Sequence, residues 1–449
     1  MIQTGKQLNQ RPLYLQKLIR SQDNGRIKVI TGMRRTGKSC LMKLMVQHLL
    51  ETGIRRDQII EINFEQFRFR EYTQQELLDM VHAQLLPDQK MYLFLDQIQH
   101  VDSWQEALSQ ILEEADCDIY VATANGKLLK SDSINRLSTG ITVIKMFPLS
   151  FREYLDFCEF RVENLGKDGN RKSIIAWDGR RFRPEDLFEL YLEFGGMPAI
   201  SNVGMTPSRA MPIMEGIYSA LVLRELIELP PGRGGKKIED IGLLRDIINE
   251  MSMKIGENIS LRSMGRRFIE LYMDDDEYQS TPEMRDVQSY TGSILESYLF
   301  EHLKRYDILS DDYQKTNGKY YATDLGIRNL LIGMEQDDRN HMLENVVYLE
   351  LLRCGYEVSN GFVKDRDIDF VTERDGERKF IQVTESLDTE ELKDRCLTPL
   401  HMLPGNNDDK IVISLRRSAP ETEDGIQIMD LLEFLMEDYD VLHEGSELY

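Results

Sequence analysis

The sequence predicts an α/β fold that opens with a parallel sheet flanked by helices. Three observations lead there. Short runs rich in apolar and β-branched residues alternate with stretches at helical spacing through residues 1–150, the pattern of strand-helix-strand units. The first run passes straight into a glycine-bounded loop and then a helical pattern. A later run, Met91-Tyr92-Leu93-Phe94-Leu95-Asp96, is apolar throughout and ends in an acid, as in a parallel strand buried on both faces.

Taken in order, Leu15, Leu18 and Ile19 predict a helix between Gln10 and Ile19 that lies against the sheet. Asn24-Gly25 turns the chain into the first strand, Ile27 to Thr31. Gly32-Met33-Arg34-Arg35-Thr36-Gly37-Lys38-Ser39 then fits the phosphate-binding pattern G-x-x-x-x-G-K-[ST]. Glycines at its ends let successive backbone N–H groups face phosphate oxygens, Lys38 can reach the β and γ phosphates, and the Ser39 hydroxyl can ligate Mg2+. Gly32, Arg34, Arg35, Thr36, Gly37, Lys38, Ser39 and Cys40 are therefore candidate contacts for ATP.

The helical pattern from Cys40, with Leu41, Leu44, Met45 and Leu49 on one face, closes at Gly53. Ile59 to Phe64 reads as the second strand, and an amphipathic helix from about Gln75 to Leu86 ends before Pro87. Asp96, at the end of the third strand, takes the Walker B role beside Ser39 as the second magnesium ligand. Asp118 to Thr123 is a fourth strand leading to Asn125, and Ile141 to Met146 a fifth. Such a sheet holds its ligand at the carboxyl ends of the strands.

The chain has 449 residues, enough for about three domains. Its net charge of -22 is uneven: ten Lys or Arg against the lone acid Asp23 give residues 1–50 a charge of +9, leaving -31 for the remainder. This argues against a whole-surface nucleic-acid binder, while a local basic face stays open. Five scattered cysteines without C-x-x-C spacing read as reduced, mostly buried thiols. The stretch Met1 to Gln7 lacks a signal-type apolar core, and no run reaches the ~18 apolar residues of a membrane span. The expectation is a cytoplasmic protein with no membrane partner.

The phosphate loop with paired arginines, the segment Leu95-Asp96-Gln97-Ile98-Gln99 and Pro148 to Tyr154 resemble the AAA-type P-loop ATPases of bacteria and archaea that carry a C-terminal DUF4143 region. Gly195-Gly196-Met197-Pro198, Tyr320 to Arg328 and Leu343 to Leu352 are similar to later landmarks of that family, in the same order. The resemblance implies catalytic roles for Lys38, Asp96, the residue at 97 and the sensor Asn125. Three positions depart from it. Gln97 stands where the family has glutamate, Ala124 replaces a more usual serine, and Leu137-Ser138-Thr139-Gly140-Ile141 lacks the arginine of Ser-Gly-Arg, with Arg136 the nearest stand-in. An amide can hydrogen-bond water but cannot take its proton, so ATP binding with slow hydrolysis is expected. Glu65 could supply a substitute carboxylate if the second strand lies beside the third; otherwise it is an ordinary surface acid.

Residues 151–230 read as a helical lid or linker, interrupted by a polar stretch from Asn164 to Lys172, and the breaker-rich run from Pro230 to Lys237 as a connector. Residues 231–335 resemble a winged helix, with helices around Leu243 to Ile248, Ser260 to Met264 and Ser289 to Arg305 and a wing from Tyr306 to Ala322. Arg262, Arg266, Arg267, Lys304 and Arg305 offer it a basic face for DNA, and the run from Asp274 to Glu277 opposes one. Residues 336–449 resemble a restriction-endonuclease-like α/β domain in which Asp369 and Glu344 stand for the metal-binding acids and Gln382-Val383-Thr384 replaces Glu-x-Lys, so a structural or interaction role is favoured over cleavage. DNA or a protein partner through these C-terminal domains is expected; no oligomeric state follows.

Overall fold

The computed structural model describes residues 10–67, 72–130, 140–165, 171–176, 178–201, 203, 206–228, 237–274, 282–334, 338–405, 409–416 and 422–437. Arg136, most of the segment around it and the Pro230 connector lie outside them. The chain divides into two compact units, residues up to 147 with 296–298, and residues 148–295 with 299–448.

The first unit runs α1 (Pro12–Arg20), β1 (Ile27–Thr31), α2 (Lys38–Glu51), β2 (Ile59–Asn63), α3 (Gln74–His82), β3 (Met91–Asp96), α4 (Trp104–Glu114), β4 (Cys117–Ala122) and β5 (Ile141–Lys145). The five strands are all parallel, in the order β2-β3-β4-β1-β5. Alternate residues serve opposite faces. Val29, Leu93, Leu95 and Val121 pack with Leu77 and Leu108 of α3 and α4. Ile30, Phe94, Tyr120 and Ala122 pack with Tyr14, Leu18, Leu41 and Met45 of α1 and α2. This double burial is why the strands are apolar throughout rather than alternating. A buried ion pair joins two of the strands: Lys28 of β1 pairs with Asp118 of β4, which also accepts a 2.8 Å bond from the Tyr120 hydroxyl.

The second unit begins with α5 (Phe151–Phe157), β6 (Phe160–Leu165), β7 (Arg171–Ala176), β8 (Arg181–Phe182), α6 (Pro184–Phe194), α7 (Pro198–Ser201) and α8 (Pro207–Leu221), which continues as a π-helical turn, Val222–Glu228. The expected helical lid thus contains an antiparallel three-stranded sheet, β6-β7-β8. The polar stretch read as an interruption carries the paired arms of a hairpin, Asn164 facing Lys172. Polar residues at the hairpin end hid the alternation.

Next come α9 (Ile241–Met253), β9 (Asn258–Ser260), α10 (Leu261–Asp274), α11 (Met284–Glu296), β10 (Phe300–Asp307), β11 (Asp312–Ala322), α12 (Leu325–Ile332) and α13 (Arg339–Arg353). They are followed by β12 (Glu357–Val363), β13 (Arg366–Arg374), β14 (Glu377–Thr384), α14 (Glu390–His401), β15 (Lys410–Ser414), β16 (Thr422–Glu423), β17 (Ile426–Asp430) and α15 (Leu431–Met436). The third helix of the expected winged helix stops at Glu296, and residues 300–307 are strand. Phe300, Leu303 and Tyr306 are buried along it against an antiparallel partner. The wing strands β10 and β11 belong to a nine-stranded mixed sheet, β16-β17-β15-β14-β13-β12-β10-β11-β9, so no sheet boundary falls at residue 335. Of the cysteines only Cys396 is buried, and Cys40 is exposed. Among the described residues no helix is long and apolar enough to cross a membrane.

Candidate nucleotide site

The loop between β1 and α2 has the backbone that its glycines require. Gly32 has φ +139° and lies so close to the Met146 carbonyl that a Cβ there would sit 2.1 Å from the oxygen. Gly37 has φ +106° and hands the chain to α2, whose first residue is Lys38. Arg35 also adopts a left-handed backbone, at φ 67°. Thr36 closes the loop on itself, its hydroxyl donating to the Met33 carbonyl at 2.9 Å. Lys38 is buried, and its ammonium donates to the carbonyls of Gly32 and Met33, both at 2.8 Å. Ser39 and Cys40 follow in the first turn of α2.

Parallel pairing brings the remaining predicted residues to the same strand edge. β4 lies between β1 and β3, so Asn125 and then Asp96 stand to one side of the loop along the same strand edge. Asp96 Oδ2 accepts from Asn63 Nδ2 at 3.2 Å, while Oδ1 is buried without a hydrogen bond of good geometry. Burial pushes the Asp96 pKa up; the Ser39 hydroxyl and the Lys38 ammonium oppose this, and the Glu65 carboxylate adds to it. An under-satisfied buried carboxylate oxygen near a serine hydroxyl fits Mg2+, which takes one or two protein oxygens and fills its shell with water and phosphate. Among the described residues no cluster of three or more His, Cys, Asp or Glu could hold a metal on its own.

Gln97 has a left-handed backbone, φ 59°, and its side-chain carbonyl accepts from Gln99 Nε2 at 2.6 Å. Asn125 spends its side-chain oxygen on the Lys127 N–H, at 2.9 Å. Arg34 pairs with Glu65, just past β2. Three contributors were not foreseen. Arg11, buried at the start of α1, donates to the Thr36 carbonyl at 3.1 Å and to the Phe147 carbonyl at 2.9 Å, tying the loop to the chain after β5. Asn63 links Asp96 to the chain after β2. Residues 296–298 pack within this unit, and the Tyr298 hydroxyl shares a 2.6 Å hydrogen bond with Thr31 Oγ1 at the mouth of the loop. A lone arginine, asparagine or tyrosine carries no motif, so nothing in the sequence marked them.

A family model for an AAA domain matches residues 24–155, the segment that holds this loop, Asp96 and Asn125. Residues 24–155 carry the sequence signature of an AAA domain. Over nearly its whole length the chain is similar to an uncharacterized protein of Haemophilus influenzae, 27% identical over 96% of this chain and 100% of the relative. It is also similar to an uncharacterized protein of Methanocaldococcus jannaschii, 24% identical over 79% of this chain and 72% of that one. Among solved structures a Walker-type ATPase of Pyrococcus abyssi aligns with a TM-score of 0.46 and 15% identity, over 72% of this chain and 95% of that one. The AAA domain match stops well before the C-terminal landmarks of the expected family.

In the second unit, Glu344 of α13 and Asp369 of β13 do come together, around a lysine. Lys319 of β11 places its ammonium 3.2 Å from Glu344 Oε2 and 3.6 Å from Asp369 Oδ1, all three well enclosed. The Tyr321 hydroxyl donates to Glu344 at 2.8 Å, and the Val383 N–H to Asp369 at 2.9 Å. Gln382 stitches β13 to β14 by donating to the Asp367 carbonyl at 2.9 Å. Burial works against the Lys319 ammonium, but the two carboxylates outweigh it and raise its pKa. Of the expected basic face, Arg267 is paired with Glu250 and Arg305 with Asp367.

Proposed function

We propose that the protein binds Mg-ATP through its AAA domain, hydrolyses it slowly or under the control of a partner, and uses bound nucleotide to set the arrangement of the domains that follow. The observation that carries this reading is an intact phosphate loop, braced by Arg11, at the same sheet edge as a strand that ends in Asp96 and is followed by Gln97. Lys38 exchanges the Gly32 and Met33 carbonyls for phosphate oxygens, a trade between hydrogen-bond acceptors that gains charge pairing. Asp96 and Ser39 would hold a magnesium ion, which would supply positive charge to offset that of the phosphates. Arg34 and Arg35 add positive charge to the loop, and Asn125 provides a polar group at the same strand edge. The amide of Gln97 cannot accept a proton from water, so position 97 cannot itself supply the ~100- to 10,000-fold that a general base contributes to turnover.

Titration of the purified full chain with ATP in the presence of Mg2+ tests the binding step. Saturable binding that Lys38→Ala abolishes is expected, and equal binding by that variant would overturn the assignment. A DNA-associated regulator is the alternative, and the engagement of Arg267 and Arg305 in ion pairs weakens it. A gel-shift series over salt checks it, because phosphate contacts make affinity fall steeply with ionic strength.

A further inference from the structure

We infer that Glu65 is the catalytic carboxylate for ATP hydrolysis in this protein, in place of the residue at 97. The inference rests on the ATP-binding reading above and adds a residue to its site. β2 lies directly beside β3, with Asn63 paired to Asp96 in register. The chain leaving β2 therefore emerges at the strand edge where Asp96 ends. A relay of hydrogen bonds fixes it there: Asn63 Nδ2 donates to Asp96 Oδ2 at 3.2 Å, and the Glu65 N–H donates to Asn63 Oδ1 at 2.8 Å. The Glu65 carboxylate then reaches the phosphate loop itself, where it pairs with Arg34.

Access and chemistry agree with this placement. The Glu65 side chain is 30% exposed, open to water, whereas Gln97 is 6% exposed and tied to Gln99. A carboxylate can orient water and take its proton; the Gln97 amide can only orient it. In the hydrolytic step the water oxygen bonds to the γ-phosphorus as the bond from that phosphorus to the β–γ bridging oxygen breaks. The electron pair leaves with ADP, and the water proton passes to Glu65, which returns it to solvent.

The test uses the full chain, with phosphate release at saturating Mg-ATP measured beside the affinity for a fluorescent ATP analogue. Glu65→Gln keeps the size of the side chain and should lower kcat by ~100-fold or more, with affinity changed by less than about threefold. Glu65→Ser, measured the same way, decides the matter should the glutamine variant not fold. Turnover within about twofold of wild type in a folded variant overturns the inference. So does a wild-type protein that binds the analogue but releases no phosphate, an outcome that leaves the binding reading standing. Failure of the wild type to bind the analogue overturns the binding reading itself, and this inference with it.

Discussion

Lys319 is an ammonium enclosed with two carboxylates, and it supplies the positive charge that both of them face. Removing one member of a buried ionic group leaves its partners charged without compensation, which costs about 3 to 5 kcal/mol. Lys319→Met should therefore destabilise the second unit by that amount in urea denaturation, and a loss below about 1 kcal/mol would mean that the carboxylates find another partner or take up protons. Position 97 gives a second residue-level expectation. Because its side chain is held by Gln99, while Glu65 stands at the loop, Gln97→Glu should change ATP turnover by less than about threefold. A rise of a hundredfold would place the attacking water at residue 97. Both cases show why the sequence led only part of the way. Glu344, Asp369 and Gln97 could be picked out by position, but Lys319 and Arg34 acquire their meaning from partners 25 to 50 and 31 residues away, which no local pattern encodes.

At the scale of elements, the segments that carried the family resemblance prove to be packing joints. The Gly196 N–H donates to Asp324 at 2.8 Å, and the Leu149 N–H to the Gly196 carbonyl at 2.7 Å. Gly326 meets the Phe194 carbonyl so closely that a Cβ would lie 2.1 Å from it. Asn345 of α13 bonds both the N–H and the carbonyl of Ala322, each at 2.8 Å. Asp324 caps α12 by accepting from the Ile327 N–H at 3.0 Å, and burial, only partly offset by its backbone donors, pushes its carboxyl from 3.8 up to about 6. A raised carboxyl favours the folded state most when protonated. Its contribution is thus full below about pH 4 and is lost as the pH rises through about 6, a change of up to ~3 kcal/mol. The stability difference between wild type and Asp324→Asn should shrink across that window in melts at fixed salt. A difference that is flat or grows with pH would contradict the assignment. The strands and helices of the first unit were legible because each is a long, strongly patterned run. The β6–β7 hairpin and the strand β10 were not, since their alternation is diluted by polar residues and their pairing is with distant segments.

For the molecule as a whole, the sequence identified the parallel sheet but drew a domain boundary at residue 335 that the long-range sheet pairing of the second unit does not respect. Everything proposed about function depends on nucleotide entering the loop between β1 and α2. A ligand that binds only the folded state must stabilise it, by about 2.7 kcal/mol at a hundredfold excess over Kd. The most direct test is thermal melting of the full chain with and without millimolar Mg-ATP, wild type beside Lys38→Ala. The account predicts a rise in Tm for the wild type and none for the variant; an unshifted wild type, or an equal shift in both, would contradict it.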